Sequence, residues 1–251
     1  MVLVKIKTNT ISFVEEVNLL RIIQRNYLYQ LTFLPMIFPV NCYLLEEGEE
    51  LTLIDAALPF SYKKILAFAE ERKKPITKII LTHAHGDHIG SLDALKERLP
   101  NAKVYISVRD ARILSGDHTI DKEEEPFVLK GGLPKNIQTK PDVLIKDGEQ
   151  IGSLLCIALP GHTPGSFGFL DKRDNSLIVG DAFQTRGGLA VSGQFRAFFP
   201  FPAMATWNKA EAIKSAKKIL PLNISLLATG HGNLLENAHL SIESLLERER
   251  G

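Results

Sequence analysis

The tightest constraint on this fold is a cluster of potential metal ligands directly after an apolar run. Three of the seven histidines fall within six residues, in the sequence His83-Ala84-His85-Gly86-Asp87-His88, just after TKIIL at 77–81. Side chains two residues apart share one side of an extended chain but do not face each other on a helix. The pattern therefore predicts a buried strand, a loop whose donors project together, and then a helix.

Eight further runs also have the apolar, β-branched character of strands. With TKIIL, they are residues 28–34, 40–46, 51–55, 77–81, 103–107, 154–159, 167–170, 176–180 and 224–228. The early runs follow one another through short turns, whereas the later ones alternate with helical patterns. This order predicts an α/β fold built as a layered sandwich. Because no linker-like stretch divides the chain, we expect a single domain over residues 1–251.

Apolar residues recur at helical spacing between these runs. Four helices are predicted: residues 62–69 after Ser61, residues 92–99 before Pro100, residues 207–220 with Thr206 as the N-cap, and residues 235–246 with Asn233 as the N-cap. One long irregular region, residues 115–140, contains an acidic run and two adjacent glycines. Such a region is either a binding loop or a solvated excursion.

Charge and cysteine content restrict the partners and the compartment. The formal net charge is +1, so no overall field points to nucleic acid or to an anionic membrane. Cys42 and Cys156 lie in apolar runs, as buried free thiols do, which favours a reducing compartment. Lys5 and Lys7 interrupt the N-terminal segment where a secretory signal would be apolar. We expect a cytoplasmic protein that does not contact a membrane.

Other donors stand just past the ends of later strand runs. His162 follows the run at 154–159, Asp181 follows the run at 176–180, and His231 follows the run at 224–228, each beside a glycine. The four donors at 83–88 would overfill one tetrahedral zinc site but suit two neighbouring metals that share further ligands. Asp181 has two oxygens and can bridge two cations. The loops at strand ends gather at one edge of an α/β sheet, which predicts one shared site.

The motifs THAHGDH, PGHTPGS, GD and GHG, in this order, resemble those of the metallo-β-lactamase superfamily, over residues 55–231. The resemblance implies an αββα four-layer sandwich with the site at one edge. It implies one metal bound by His83, His85 and His162, and a second bound by Asp87, His88 and His231, with Asp181 between them. Asp55 matches the first family motif and would support the ligand loop.

Such a centre favours hydrolysis. Two neighbouring cations lower the pKa of a shared water towards about 7, so a hydroxide can attack an ester, thioester or lactone carbonyl. Asp87 is the candidate catalytic residue, which would orient the nucleophile and carry its proton to the leaving group. Zinc is the default metal, although imidazole and carboxylate ligands also suit iron and manganese.

The motifs are most similar to those of glyoxalase II-like thioesterases and quorum-quenching lactonases. The chain departs from both: about 20 residues follow His231, too few for a glutathione-binding region, and Gln184 replaces the tyrosine of the lactonases. Asp181 argues against β-lactams as native substrates, because class B β-lactamases generally lack this carboxylate. The alternatives are a phosphodiesterase or nuclease of the same fold and a metal-retaining binding module without activity.

The substrate is expected to be a small molecule with an apolar acyl part, and no nucleic-acid partner is expected. Five phenylalanines lie shortly after Asp181, at positions 183, 195, 198, 199 and 201, and would form an apolar wall. Ordinary packing or the contact of a homodimer is the alternative interpretation of this segment.

Overall fold

The computed structural model of the protein contains two large β-sheets. The model describes residues 20–248, together with the backbone of residues 2–6 and 10–14. Residues 1, 7–9, 15–19 and 249–251 lie outside the described residues, among them Lys7, which the argument against a secretory signal uses. The strands are β1 Val2–Ile6, β2 Thr10–Val14, β3 Leu20–Arg25, β4 Leu28–Phe33, β5 Val40–Glu47, β6 Glu50–Ile54, β7 Ile76–Ile80, β8 Lys103–Ser107, β9 Val143–Ile145, β10 Gln150–Ile151, β11 Leu154–Ala158, β12 Phe167–Asp171, β13 Ser176–Gly180, β14 Phe183–Gln184, β15 Ala190–Val191, β16 Leu226–Thr229 and β17 Leu235–Glu236.

Helices cover the outer faces of the two sheets. They are α1 Tyr62–Arg72, α2 Gly86–Ile89, α3 Leu92–Arg98, α4 Val108–Leu114, α5 Phe201–Met204, α6 Lys209–Lys218 and α7 Ala238–Glu247, with a 3₁₀ turn at Leu220–Leu222. The first sheet has the order β1 to β9, and the second has the order β10-β11-β12-β13-β16-β17. Strands β6 to β9 pair in parallel, as do β13 and β16.

Three apolar cores separate the layers, because side chains alternate between the two faces of each strand. In β5, Cys42 and Leu44 face helices α1, α3 and α4, whereas Tyr43 and Leu45 face the other sheet. In β13, Ile178 faces the first sheet and its neighbours face α6 and α7. The order is therefore helices, sheet, sheet, helices, and the predicted αββα sandwich is confirmed.

The direction of the strands brings the donor loops to one edge. Strands β6 and β7 are parallel, so the residues after Ile54 and Ile80 lie at the same end of the first sheet. In the second sheet β13 and β16 are parallel, and β11 runs in the same direction because two antiparallel pairings separate it from β13. The loops that carry His162, Asp181 and His231 therefore leave the second sheet together.

All nine predicted strand runs are strands in the structure, and each of the four predicted helical segments contains a helix. The predicted N-caps of the last two are wrong. Asn208 caps α6 with its side chain, which accepts hydrogen bonds from the N–H groups of Ala210 and Glu211, while Thr206 is buried beside His162. Helix α7 starts at Ala238, because Leu235 belongs to strand β17 rather than to the helix.

Within the part of the chain that is described, no helix has the length and apolar character needed to cross a membrane.

Phe169 provides a test of the layer order, because its ring is fully buried between the two sheets. Phe169→Ala should lower the free energy of unfolding by about 3–5 kcal/mol, since a large cavity remains in a core that cannot collapse. Phe198→Ala is the matched control, because the Phe198 ring is 90% exposed, and it should change stability by less than about 0.5 kcal/mol. Urea unfolding measures both, and equal midpoints for the two variants would contradict the layer order.

Candidate metal centre

The structure brings all seven predicted donors together at one end of the sandwich. Their ligand atoms form three overlapping groups among the described residues, and within each group the atoms lie within 4.8 Å of one another. The groups are His83 with His85 and His162, His83 with His88 and Asp181, and Asp87 with His88 and His231. Two of these groups have the membership that the family resemblance implies for the two metals.

His85 and His162 are each held through the ring nitrogen that faces away from the centre. His85 Nε2 donates to the Lys130 carbonyl at 2.8 Å, and His162 Nδ1 lies 2.9 Å from Ser192 Oγ. The remaining nitrogens, His85 Nδ1 and His162 Nε2, are 2.9 Å apart. These contacts determine which ring nitrogen of each histidine is available to a metal.

Asp55 holds two histidines of the cluster at 83–88. Its Oδ2 accepts from His88 Nδ1 at 2.8 Å and from the Thr82 hydroxyl at 2.8 Å. The Thr82 oxygen lies 3.0 Å from His83 Nδ1, so it accepts from that ring while it donates to Asp55. Asp55 therefore supports the ligand loop, as predicted, by holding His88 directly and His83 through Thr82.

His231 comes from the second sheet and is oriented by the first. Its Nδ1 donates to the Pro39 carbonyl at 2.6 Å. Its Nε2 lies 3.3 Å from Asp87 Oδ2 and 3.2 Å from Asp181 Oδ2.

Asp181 lies between the two groups of histidines. Its Oδ1 is 3.4 Å from His88 Nε2, and its Oδ2 is 3.5 Å from His162 Nε2. One carboxylate thus faces donors of both groups, which is the arrangement that a bridging ligand requires.

Burial and the carboxylates divide the histidines into two electrostatic classes. Burial lowers the pKa of His162 to about 3 and also lowers the pKa values of His83 and His85. Burial acts in the same direction on His231, but the carboxylates of Asp181 and Asp87 raise its pKa to about 10. The pKa of His88 is likewise raised well above its usual value, by Asp181, Asp55 and Asp87 against burial. The first three imidazoles are therefore neutral at pH 7, as metal ligands must be.

Unpartnered polar atoms indicate that the centre fits a cation. His83 Nε2 is buried and lacks a hydrogen-bond partner, and His88 Nε2 and Asp181 Oδ1 lie 3.4 Å from each other without the geometry of a hydrogen bond, although buried polar atoms are almost always satisfied. A Cβ on Gly230 would lie 2.1 Å from Asp181 Oδ1 and 2.5 Å from His88 Cε1, so only glycine leaves this space to the donors. Orphaned nitrogen and oxygen atoms that face one another are what two divalent cations would satisfy.

Asp110 is a positioning residue that the sequence analysis missed. It lies on α4, is fully buried, and accepts hydrogen bonds from Ala84 N at 2.8 Å, Gly165 N at 2.9 Å and the Thr163 hydroxyl at 2.9 Å. It therefore ties the loop of His83 and His85 to the loop of His162. The sequence feature that could have drawn attention to Asp110 is Ser107 three residues before it, a pattern typical of a helix N-terminus. In the structure, Ser107 Oγ accepts a hydrogen bond from Asp110 N.

A second positioning group connects the sheets beneath His231. Tyr43 OH donates to the Thr229 carbonyl at 2.6 Å, and Asn41 Nδ2 donates to the carbonyls of Thr229 and Gly232. Gln30 Nε2 also donates to the Gly232 carbonyl. The sequence feature that could have revealed this group is the presence of Gln and Asn inside otherwise apolar strand runs. A buried amide side chain is destabilising unless it has a hydrogen-bond partner inside the protein.

Two glycines of the irregular region at 115–140, Gly131 and Gly132, form part of the wall of the site. Arg109 forms a bidentate pair with Glu124 through Nε and Nη2, and Arg112 Nη1 donates to both carboxylate oxygens of Asp121, so two members of the acidic run fix the loop to α4. Gly131 then passes against His85, where a Cβ would lie 2.7 Å from the His85 ring at a φ of +88°. A side chain at position 131 would therefore displace either the loop or His85.

The donors open into a cavity of about 420 Å³ whose lining includes His85, Asp87, Asp181 and His231. The predicted wall of five phenylalanines is only partly there. Phe201 lines the cavity, whereas Phe183 and Phe199 are buried, and Phe195 and Phe198 are exposed without lining it.

Comparison with known proteins identifies the family. The model of the metallo-beta-lactamase superfamily matches residues 36–231. The chain belongs to this superfamily. Membership agrees with the resemblance inferred from the motifs and with the αββα architecture.

The superfamily relatives include two proteins of Bacillus subtilis (strain 168). YobT is 54% identical over 231 residues, covering 92% of this chain and 99% of YobT. YflN, named a probable metallo-hydrolase, is 30% identical over 217 residues, covering 76% of this chain and 80% of YflN. Among solved structures, TTHA1623 in a di-iron-bound form is 24% identical with a TM-score of 0.61, covering 82% of this chain and 93% of TTHA1623. The structural likeness supports the superfamily fold.

Asp110→Asn should weaken both the fold and the metal centre. The amide would turn a donor towards an N–H group, so we expect a loss of about 1–3 kcal/mol in unfolding free energy and reduced metal content after dialysis against limiting Zn²⁺. Asp93→Asn is the matched control, because Asp93 also accepts from two backbone N–H groups and a threonine hydroxyl, but on the surface. Metal content that falls equally in both variants, or in neither, would contradict the role assigned to Asp110.

Proposed function

We propose that this protein is a metal-dependent hydrolase that cleaves an ester, thioester or lactone carbonyl of a small molecule. The observation that carries the proposal is the convergence of five imidazoles and two carboxylates on one buried space that opens into a cavity. Each imidazole is backed by a hydrogen bond, so the donors are organised for binding before any ligand arrives.

Two divalent cations would be held by the seven donors. His83, His85 and His162 would bind the first, Asp87, His88 and His231 the second, and Asp181 both. When bound, such ions polarise a carbonyl and lower the pKa of water to about 7, which supplies a nucleophile at neutral pH. Zinc is the first choice, with manganese and iron as alternatives that the ligand set accommodates. The di-iron form of TTHA1623 supports iron as a member of this set.

Asp87 is the proposed catalytic residue. Its side chain is 24% exposed and lines the cavity, whereas the Asp181 side chain is 4% exposed. Burial alone would raise the pKa of Asp87, but His88 and His231 hold it below the usual value, so the carboxylate is ionised at pH 7. Its Oδ2 faces His231 Nε2 and His88 Nε2, which leaves Oδ1 to accept a proton from the attacking water. Asp87 then donates that proton to the leaving oxygen or sulfur as the bond between this atom and the carbonyl carbon breaks.

The surroundings support a small-molecule carbonyl substrate over a nucleic acid. Two of the four lysines of α6 are engaged in ion pairs: Lys218 pairs with Asp147, and Lys214 pairs with Glu211. An open cavity beside an ionised carboxylate also favours catalysis over a binding module, because structural metal sites are closed cages.

We propose a single domain over residues 1–251 that acts in the cytoplasm, since both cysteines are unpaired and buried. A homodimer is compatible with the exposed Phe195 and Phe198, and no membrane or nucleic-acid partner is part of the proposal.

Activity provides the first test. The Zn²⁺- or Mn²⁺-loaded protein should hydrolyse at least one of a thioester, a lactone and a simple ester, and Asp87→Asn should lower kcat by about 10²–10⁴. Asp147→Asn, which alters a surface ion pair with Lys218, should keep full activity. A fully loaded native protein without turnover on any of the three carbonyl classes would overturn the proposal.

Metal removal provides a second test that is independent of any substrate. A ligand at a hundred times its Kd stabilises the native state by about 2.7 kcal/mol, so stripping the metal should lower Tm by roughly 5–10 °C in a chain of this size. Differential scanning calorimetry before and after chelation, with Zn²⁺ added back, measures this. An unchanged Tm with proven metal loss would argue against the proposed ligand set.

A further inference from the structure

The cavity above the metal centre has walls of one chemical kind. Away from the donors at its base, the lining consists of Phe38, Gly131, Gly132, Phe201, Pro202, Met204 and Ala205. These residues come from three segments: the turn before β5, the loop of the glycine pair, and helix α5 with its C-cap. None of their side chains carries a nitrogen or oxygen atom, so a ligand can form polar side-chain contacts only at the donors.

Arg186 and Arg196 form hydrogen bonds to backbone carbonyls and do not line the cavity. Arg186 Nη2 donates to the Met36 carbonyl at 3.2 Å, and Arg196 Nη2 donates to the Leu189 carbonyl. Among the described residues, the lining of this cavity includes no lysine or arginine. A charged or strongly hydrogen-bonding substituent would therefore lose its hydration there without finding a partner.

The apolar wall is continuous with the centre. Phe38 packs against Phe199 at 5.2 Å and against Phe201 at 5.1 Å between ring centroids. Phe199 also lies 5.2 Å from the His231 ring. A group held on this wall is thus adjacent to the position where the carbonyl must react.

Apolar surface on the wall is left uncovered. Met204 is 67% exposed and Phe201 is 50% exposed, although both line the cavity. Covering such surface is favourable by about 25 cal/mol per Å², and the flexible methionine side chain adapts to the shape of its ligand.

We propose that this cavity binds the uncharged aliphatic acyl chain of the substrate, with Met204, Phe201 and Phe38 as the residues that determine specificity. The inference rests on the proposed function and narrows it to acyl esters, thioesters or lactones whose acyl part is a medium-length alkyl chain. Anionic acyl groups are excluded by the same walls.

The kinetic test compares acetyl and octanoyl esters of the same alcohol, so that the leaving group stays constant. In the metal-loaded native protein, kcat/KM for the octanoyl ester should exceed that for the acetyl ester by about tenfold or more. Met204→Gln, which keeps the side-chain length but adds an amide, should lower this ratio of kcat/KM values at least about fivefold. The separate variant Met204→Leu, whose side chain is apolar, should retain most of the native ratio. Leu240→Gln is the matched control, because Leu240 is 69% exposed and does not line this cavity. Its ratio should equal that of the native protein.

A binding measurement separates failure of this inference from failure of the proposed function. 2-Decanone and 2-butanone carry a carbonyl that cannot be hydrolysed, and calorimetry with the metal-loaded protein should give a Kd at least about tenfold lower for 2-decanone. Equal kcat/KM values for the octanoyl and acetyl esters, together with equal Kd values for the two ketones, would overturn the acyl site. Turnover of the acetyl ester in that case would still support the proposed hydrolase function. Tighter binding of 2-decanone that is weakened by Met204→Gln, without turnover of any ester, thioester or lactone, would support the acyl site and overturn the proposed function.

Discussion

Hydrogen bonds to one ring nitrogen of each imidazole determine the geometry of the candidate metal centre. Asp55, Thr82, Ser192 and the carbonyls of Lys130 and Pro39 supply these contacts to the five histidines. Because one nitrogen of each ring is engaged, the other faces the shared space, and the cost of ordering the ring is met during folding. The fold therefore orients these imidazoles, neutral or paired with carboxylates, before any metal ion binds.

The sandwich makes this possible because the supports and the ligands come from different layers. Loops of the first sheet bring His83, His85, Asp87 and His88, and loops of the second bring the others. Asp110 ties the two sets of loops together on one side, and Gln30, Asn41 and Tyr43 do so on the other. These contacts are buried hydrogen bonds between layers, so a change in the packing of one sheet against the other would alter the positions of the donor side chains.

The sequence predicts the framework better than the surroundings of the site. Strand runs such as SLIVG are apolar and bounded by turn residues, and each donor follows such a run, so both the layers and the seven donors can be read from local pattern. The Asp110 contacts cannot, because they depend on the loops of Ala84 and Gly165, which are far apart in sequence and meet only in the folded chain. The acidic run at 121–125 has the composition of a solvated segment, yet Asp121 and Glu124 pair with arginines of α4. Likewise, a cluster of phenylalanines in sequence does not show which rings face the cavity.

The most direct measurement is anomalous diffraction at the absorption edge of the metal from crystals of the Zn²⁺-loaded protein. Two peaks are predicted, roughly 3.5–4 Å apart, one among His83, His85 and His162 and the other among Asp87, His88 and His231, with Asp181 in contact with both. A single peak, or peaks that lie away from these side chains, would contradict the dinuclear centre.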